Sequence, residues 1–523
     1  MLRRLLAVTV LLACGFGHDS SARAGQESSN SEARSSHEPG PLDGLDRYIE
    51  AGLARWQIPG LAIAVVKDDR VVYCRGFGVR EAGKPGKVTG RTMFAMASQS
   101  KAFTATAIGL LVDSGKLDWN DRAIDHLPWF RMRDPYVTRE LTVRDLLCHR
   151  CGLGTWQGDL VWYGSDRTSR EVLDCVRFLE PVSSFRSQYG YCNLMFVAAG
   201  EILAERSGAT WDEFLHRGLF APMGMSRTNT KIQAMEQLDD VARPHTIVDG
   251  KIIPIAYRET KNTAPAGGIN SCVEDWTRWL RLQINGGTLD GKRIVPEAII
   301  RETRTPQTIV PAQSEADDPP FSAYGLGWAL RDYEGHRIVS HGGGLDGMLS
   351  LSVIVPVRKI GVVVLTNYDE QEFYGELPFH VIDAYLGVHH DDRQDKLFRA
   401  RQERERRERQ AEERQTEADD AEGNSTVNLS AYAGVYQHPA LGRATITAKD
   451  GKLFLEIERN PGLCGELKHR RFQTLRIDWS DPYFRTSTIP FRLDENGKAD
   501  EFRIKVRPDF VDPMEYRFTR TDQ

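Results

Sequence analysis

The sequence has little cysteine, little net charge and no long apolar segment beyond its first residues. Eight cysteines among 523 residues are too few for a scaffold held together by disulfides. A formal net charge of −5 offers no basic surface for nucleic acid or for an anionic membrane. No later segment approaches the roughly 18 unbroken apolar residues of a membrane-spanning helix. These absences favour two or three globular domains that act on a small-molecule or peptide substrate.

The first residues have the pattern of a secretory signal peptide. Arg3 and Arg4 form a basic start, residues 5–13 are apolar, and a small-x-small pattern ends at Ala24. We therefore predict a signal peptide over residues 1–24 and export to the periplasm or the extracellular space.

A second interpretation of the same segment is a lipoprotein signal. The sequence LLAC, which ends at Cys14, resembles a bacterial lipoprotein box, and a lipid on Cys14 would anchor the exported protein to a membrane. Both interpretations export the protein. Residues 25–40, which are rich in Ser, Glu and Gly, are predicted to be disordered.

The next segment, residues 41–390, predicts an α/β domain. It begins with a helix and a β-hairpin, continues with mostly helical patterns, and returns to strands before a last helix. Strands at both ends with helices between them indicate one antiparallel sheet, flanked by helices, into which a helical subdomain is inserted.

The remainder of the chain predicts a linker and a second domain. Residues 391–427 carry dense charge of both signs, which predicts a solvated helical linker, with a basic docking arm as the alternative. Residues 428–523 contain short strand patterns that turn at Asp-Gly and Asn-Gly pairs. They predict a C-terminal all-β domain of the barrel type.

The stretch FAMASQSKAFTA places a hydroxyl and an amine one helical turn apart in apolar surroundings. Ser98 and Lys101 lie where a turn becomes a helix, so both side chains can reach one face. A buried lysine has a lowered pKa and can serve as a neutral base for a serine nucleophile. The alternative, without a catalytic role, is a capped surface helix.

Two further motifs can assist such a pair. Tyr191 and Asn193 form a Y-x-N motif at the start of an apolar helix. A phenol held near a lysine can titrate low enough to pass a proton, and an asparagine amide can hold the lysine or a substrate amide. The alternative is a half-buried tyrosine and a helix-capping asparagine.

The sequence HGG follows an apolar strand. His341 could bind a carboxylate or orient a proton, and Gly343 would let a substrate approach the sheet edge. A glycine-rich turn between strands is the alternative for this motif alone. The sequence CHRC, Cys148 to Cys151, has redox or half-zinc-site spacing, but no second pair completes four ligands, and two small residues in a tight turn are favoured.

The three motifs in this order resemble the serine β-lactamase and penicillin-binding protein superfamily. The Y-x-N and H-x-G forms are similar to its class C branch and that branch's esterase and D-aminopeptidase relatives. The sequences LTVRDLLCHRCGLG, LFAPMGMSRTNT, APAGGINSCVEDWTRW and YGLGW resemble segments of the same branch. The C-terminal sequence YAGVYQHP resembles a lipocalin-like β-domain found on some exported members.

The resemblance implies a role for each motif residue. Ser98 would attack a carbonyl, and Lys101 and Tyr191 would share the proton transfers, with the identity of the base left open. Asn193 would contact Lys101 or the acyl amide. The backbone N–H groups of Ser98 and Gly344 would form the oxyanion hole. No metal or organic cofactor is implied.

One departure from the family pattern affects the substrate. Many β-lactamases have lysine where this chain has His341, and histidine carries a weaker charge at neutral pH. We therefore expect an exported serine hydrolase that cleaves an amide, peptide or ester bond through a Ser98 acyl-enzyme. The alternative is a β-lactamase or a penicillin-binding sensor with little turnover. The sequence sets no oligomeric state.

Overall fold

A computed structural model describes residues 40–248, 250–311, 321–390, 393–420, 428–507 and 511–521. The predicted signal peptide with Cys14, and the segment predicted to be disordered as far as residue 39, lie outside these ranges. Within them, no helix combines the length and the apolarity needed to cross a bilayer.

The first domain is built on an eight-stranded antiparallel sheet. In spatial order its strands are Arg70–Gly78, Gly60–Lys67, Ile360–Thr366, Met348–Val355, His336–Leu345, Ala329–Tyr333, Ser322–Tyr324 and Thr308–Ile309. The N-terminal hairpin pairs directly with a strand from the end of the domain, with Leu61 opposite Thr366. This pairing brings both ends of the domain into one sheet and confirms the prediction that the helices are inserted between them.

Helices cover both faces of this sheet. The α-helices are Leu45–Trp56, Ser100–Asp113, Ala123–His126, Pro135–Glu140, Val143–Leu146, Ser169–Cys175, Asn193–Ser207, Trp211–Leu215, Ala221–Met223, Ile232–Glu236, Ala264–Gly267, Val273–Ile284, Glu297–Thr303, Phe373–Leu386 and Arg393–Asp420. Three two-stranded ribbons pair Phe94–Ala95 with Asn270–Ser271, His245–Val248 with Lys251–Pro254, and Thr288–Leu289 with Lys292–Arg293. The first and the Phe373–Leu386 helices share an apolar core on one face, and a larger core fills the other face.

The helix Ser100–Asp113, here called the nucleophile helix, is buried on nearly all sides. Its Phe103 ring stacks on Trp279 with centroids 3.8 Å apart, and a Cβ on Gly109 would lie 2.4 Å from Ile299. A helix that is apolar all round belongs in a core. This burial explains the small and apolar residues of the FAMASQSKAFTA stretch.

The second domain is a closed antiparallel barrel of eight strands, which confirms the predicted all-β fold. The strands are Gly434–His438, Gly442–Lys449, Lys452–Ile457, Cys464–Arg471, Thr474–Asp478, Thr486–Leu493, Ala499–Ile504 and Tyr516–Arg520. Aromatic rings are packed together in its core. Phe502 stacks on Phe518 with centroids 5.0 Å apart and meets Tyr436 edge-on with centroids 4.9 Å apart. Closure leaves no open sheet edge among the described strands of this domain.

The barrel packs directly on the first domain. Arg258 forms ion pairs with Asp346 of the first domain and with Asp481 of the barrel, both at 2.6 Å. Tyr163 lies against the barrel residue Phe484, with ring centroids 5.5 Å apart. Because Asp346 follows the strand that carries His341, the barrel lies beside the end of that strand.

The charged segment forms the helix Arg393–Asp420, and its first half is held against the first domain. Arg401 pairs with Glu370 at 2.6 Å, and the Phe398 ring meets Trp56 edge-on with centroids 5.1 Å apart. The expectation of a solvated linker is therefore wrong for this half, because its few apolar residues cover the core.

Phe398→Ala should lower the free energy of unfolding by about 2 kcal/mol, because a half-buried ring is lost from the contact with Trp56. Urea denaturation followed by tryptophan fluorescence measures the change. Arg399→Ala, at an exposed neighbouring position, is the control and should change the free energy by less than about 0.5 kcal/mol. Equal stability of the two variants would contradict the docking of this helix.

Candidate active site

Ser98 lies in a short 3-10 turn, Ala97–Gln99, directly before the nucleophile helix. Ala97 has a φ of 48°, a left-handed conformation that is unusual for alanine. The hydroxyl of Ser100 donates to the Ala97 carbonyl at 2.7 Å and accepts from the Ile269 N–H at 3.0 Å. These bonds hold the strained turn in place at the start of the helix.

The amine of Lys101 is fully buried and has three polar neighbours. Nζ lies 3.0 Å from Ser98 Oγ, 2.7 Å from Asn193 Oδ1 and 2.9 Å from the Ala266 carbonyl oxygen. The amide and carbonyl oxygens can only accept, so they take two hydrogens of the amine. In the neutral amine the remaining position is a lone pair, and it faces the Ser98 hydroxyl.

Burial lowers the pKa of Lys101 to about 7, and the charge of Asp159 acts in the opposite direction. A substantial fraction of the amine is therefore neutral near neutral pH. The lowered pKa is the one expected for a buried lysine, and the role of Lys101 as the base stays a prediction.

Tyr191 faces the same pair. Its ring centroid lies 4.7 Å from Lys101 Nζ, and its hydroxyl shares a hydrogen bond with Ser98. Burial raises the pKa of Tyr191 well above its usual value, although the Ser98 bond opposes this shift. The expectation that the phenol has a low pKa is wrong, because burial disfavours the phenolate.

Asn193 is oriented by a carboxyl group that the sequence analysis missed. Its Nδ2 donates to Asp159 Oδ2 at 2.6 Å, which turns its Oδ1 toward Lys101. The other Asp159 oxygen accepts from Trp162 Nε1 at 2.8 Å. Asp159 is a single acidic residue with no motif around it, so no sequence pattern could have identified it.

His341 is buried, with both ring nitrogens occupied by protein partners. Nδ1 lies 2.6 Å from the Gly342 carbonyl, to which it must donate, and Nε2 therefore accepts from Tyr324, 2.8 Å away. Burial, with the charge of Lys101, lowers the pKa of His341 to about 3. The ring is therefore neutral and is not the cation that the sequence analysis considered for a carboxylate.

The glycines after His341 bring the strand edge against the nucleophile turn. A Cβ on Gly343 would lie 2.1 Å from the Met96 carbonyl and 3.0 Å from the Ser98 nitrogen, so only glycine fits. Gly344 pairs with Leu349 in the neighbouring strand. The use of the Ser98 and Gly344 N–H groups as an oxyanion hole stays a prediction.

A second missed residue, His149, lies inside the CHRC sequence. It has a φ of 60°, and its Nδ1 accepts from the Cys192 N–H at 3.0 Å. Its ring centroid is 4.2 Å from that of Tyr191. The cysteines on either side, Cys148 and Cys151, are buried free thiols. The histidine, rather than the cysteine pair, is the part of this sequence that supports the site.

Comparison with known proteins agrees with this geometry. The sequence model of the family described as Beta-lactamase matches residues 45–386. That of a domain of unknown function, DUF3471, matches residues 418–520. Unguisins hydrolase ungD from Aspergillus violaceofuscus is 29% identical over 451 residues, which cover 79% of this chain and 78% of that protein.

Two solved structures share the fold. The octameric penicillin-binding protein homologue from Pyrococcus abyssi has a TM-score of 0.61 at 21% identity, covering 92% of this chain and 100% of that one. The D-stereospecific amidohydrolase from Streptomyces sp. has a TM-score of 0.54 at 20% identity, covering 66% of this chain and 99% of that one. At these identities the likeness concerns the fold.

The low pKa of Lys101 predicts a pH-dependent stability. Folded Lys101 loses its proton near pH 7, whereas the unfolded side chain keeps it to about pH 10.4. The unfolded state therefore binds more protons in this window, and stability rises with pH. The unfolding free energy of the wild type, minus that of Lys101→Met, should rise by up to about 1.4 kcal/mol per pH unit between pH 7 and 10.

Urea denaturation at several pH values measures this difference. Lys116→Met, which replaces an exposed lysine just after the same helix, is the matched control. A flat difference for Lys101→Met would show that the buried amine keeps its ordinary pKa.

Proposed function

The chain is a serine hydrolase that belongs to the Beta-lactamase family, and we propose that it cleaves an amide or ester bond through an acyl-enzyme on Ser98. The observation that carries the proposal is the position of Lys101. Its amine lies 3.0 Å from Ser98 Oγ, and two acceptors occupy its other positions. A lone pair therefore faces the nucleophile.

In the first step the neutral Lys101 amine takes the Ser98 proton while Oγ forms a bond to the substrate carbonyl carbon. The oxyanion is stabilised by the predicted N–H donors of Ser98 and Gly344. Tyr191, hydrogen-bonded to Ser98, donates its proton to the leaving nitrogen or oxygen as that bond breaks. It recovers a proton from Lys101.

Water then attacks the acyl carbon in the second step. The same amine takes a proton from the water, and Ser98 Oγ leaves and is reprotonated. The products are a carboxylic acid and an amine or alcohol. Water is consumed as the co-substrate, and the enzyme returns to its starting state without an oxidant.

The neutral His341 supports substrates without a carboxylate next to the reacting bond. Arg258 lies near the end of the strand that carries His341, but its guanidinium is already paired with Asp346 and Asp481. A penicillin carboxylate would thus find no free cation among these groups. Of the two proposed reactions, the name of the D-stereospecific amidohydrolase favours amide cleavage. The relative ungD is named a hydrolase of unguisins.

The proposal also includes export. It rests on the basic start, the apolar segment and the small-x-small pattern of residues 1–24. Lipidation at Cys14 would make the exported protein membrane-anchored.

Ser98→Ala should abolish turnover of a nitrophenyl ester and labelling by a fluorescent phosphonate, because the nucleophile is removed. Kinetics and peptide mapping of the labelled protein measure both effects. Ser114→Ala changes the serine at the other end of the same helix and should leave the rate within about twofold. A label on another residue, or turnover by Ser98→Ala, would contradict the mechanism.

A substrate pair that differs in one group tests the role of His341. We expect a nitroanilide with a carboxamide beside its scissile bond to have a kcat/KM at least about tenfold above that of the matching carboxylate. Nitrocefin, which also carries a carboxylate, should be a poor substrate. Preference for the carboxylates would reverse the substrate assignment, and stoichiometric acylation without turnover would indicate a sensor.

A further inference from the structure

The C-terminal barrel reaches the catalytic side chains through one buried carboxyl group. We propose that Asp512 is a positioning residue for the hydrolase: it holds the turn 158–160 so that Asp159 fixes Asn193 against Lys101. The inference rests on the proposed function, because it concerns the amine that activates Ser98. In this proposal a residue of the C-terminal barrel helps to position the active-site side chains.

Asp512 makes its contacts at zero exposure to solvent. Its Oδ2 accepts from the backbone N–H groups of Gly158 and Leu160, both at 3.1 Å, and from the Tyr516 hydroxyl. Its Oδ1 accepts from the Met514 N–H at 3.0 Å. Two bonds thus hold Asp512 in the barrel, and two hold the turn of the first domain.

The turn needs such an external acceptor. Gly158 has a φ of 86°, and a Cβ there would lie 2.5 Å from Leu179 and 2.8 Å from Leu194. The two N–H groups bound by Asp512 flank Asp159 in sequence. Buried N–H groups are costly without partners, so Asp512 fixes the backbone on both sides of Asp159.

Asp159 orients Asn193, which in turn contacts the Lys101 amine. It accepts from Asn193 Nδ2 at 2.6 Å, and Asn193 Oδ1 then accepts from Lys101 Nζ at 2.7 Å. An amide turned the other way would point its own N–H group at the amine, and the amine would lose an acceptor. The orientation of Asn193 therefore depends on where Asp159 is held.

The charges along this path support the same conclusion. Burial raises the pKa of Asp159 to about 8, with Asp512 adding to the shift, and burial raises that of Asp512 to about 7. Removal of the charge on Asp512 would ionise Asp159 more fully and thereby raise the pKa of Lys101. The titratable groups around the path are Lys101, His149, Asp159, Tyr191, Cys192, His341, Asp512 and Tyr516.

Other contacts between the domains provide a matched control. Arg459 of the barrel pairs with Asp166 at 2.6 Å and with Glu171 at 3.2 Å, and neither partner contacts Asp159. Arg459→Ala therefore weakens the attachment of the barrel without touching the turn.

The test measures phosphonate acylation of Ser98 and ester turnover in the full chain. Asp512→Ala should slow acylation by about 10- to 100-fold, the loss expected when a catalytic group moves by about 1 Å. Asp512→Asn keeps one acceptor oxygen but removes the charge, so the acid limb of the pH profile should move to higher pH. Arg459→Ala should stay within about twofold.

A double-mutant cycle separates positioning from general loosening. In an Asp159→Asn background, Asp512→Asn should have less than about a twofold further effect, because its route to Asn193 is already broken. If the two effects multiply, or if Asp512→Ala and Asp512→Asn both keep the wild-type rate and pH profile, the positioning role is wrong. Circular dichroism shows whether each variant is folded.

The outcomes for the two proposals are distinct. Turnover by Ser98→Ala would overturn the proposed function whatever the Asp512 variants do. An inactive Ser98→Ala together with fully active Asp512 variants would overturn only the role of the barrel.

Discussion

The buried amine of Lys101 is the constraint on which the rest of the site depends. An amine without water is costly to protonate, so its surroundings set both its charge and its direction. Two oxygen acceptors, on Asn193 and Ala266, direct its lone pair to Ser98. The apolar nucleophile helix excludes the water that would restore an ordinary lysine. Burial of the helix therefore sets the pKa of the Lys101 amine, and its two acceptors set the direction of its lone pair.

Contacts between residues close in sequence could be predicted, whereas contacts between residues far apart in sequence could not. Ser98 and Lys101 are one helical turn apart, so their spacing alone places them together. Apolar patterns indicated the strands of the first domain, and Asp-Gly and Asn-Gly pairs indicated those of the second. Asp159 was missed because its role depends on Asn193 and on Asp512, which is distant in sequence. The docking of Phe398 was missed because one aromatic residue in a charged segment gives no periodic pattern.

The histidine position shows how burial changes the meaning of a residue type. From the sequence alone, His341 was expected to be a weak cation. In the structure its two ring nitrogens form hydrogen bonds with Tyr324 and with the Gly342 carbonyl. A nearby lysine charge and loss of water both disfavour its protonated form. The ring thus braces the strand edge beside Ser98.

The two carboxyl groups between the barrel and the amine accept hydrogen bonds from buried donors and thereby orient them. Each loses water on burial, which costs free energy, and donors from the turn, Tyr516, Trp162 and Asn193 offset this cost. Apolar side chains in the same places would leave these buried donors without partners. They could also not choose between the two orientations of the Asn193 amide. A hydrogen-bonded acid can, and this gives a physical reason for the barrel to contact the catalytic domain at Asp512.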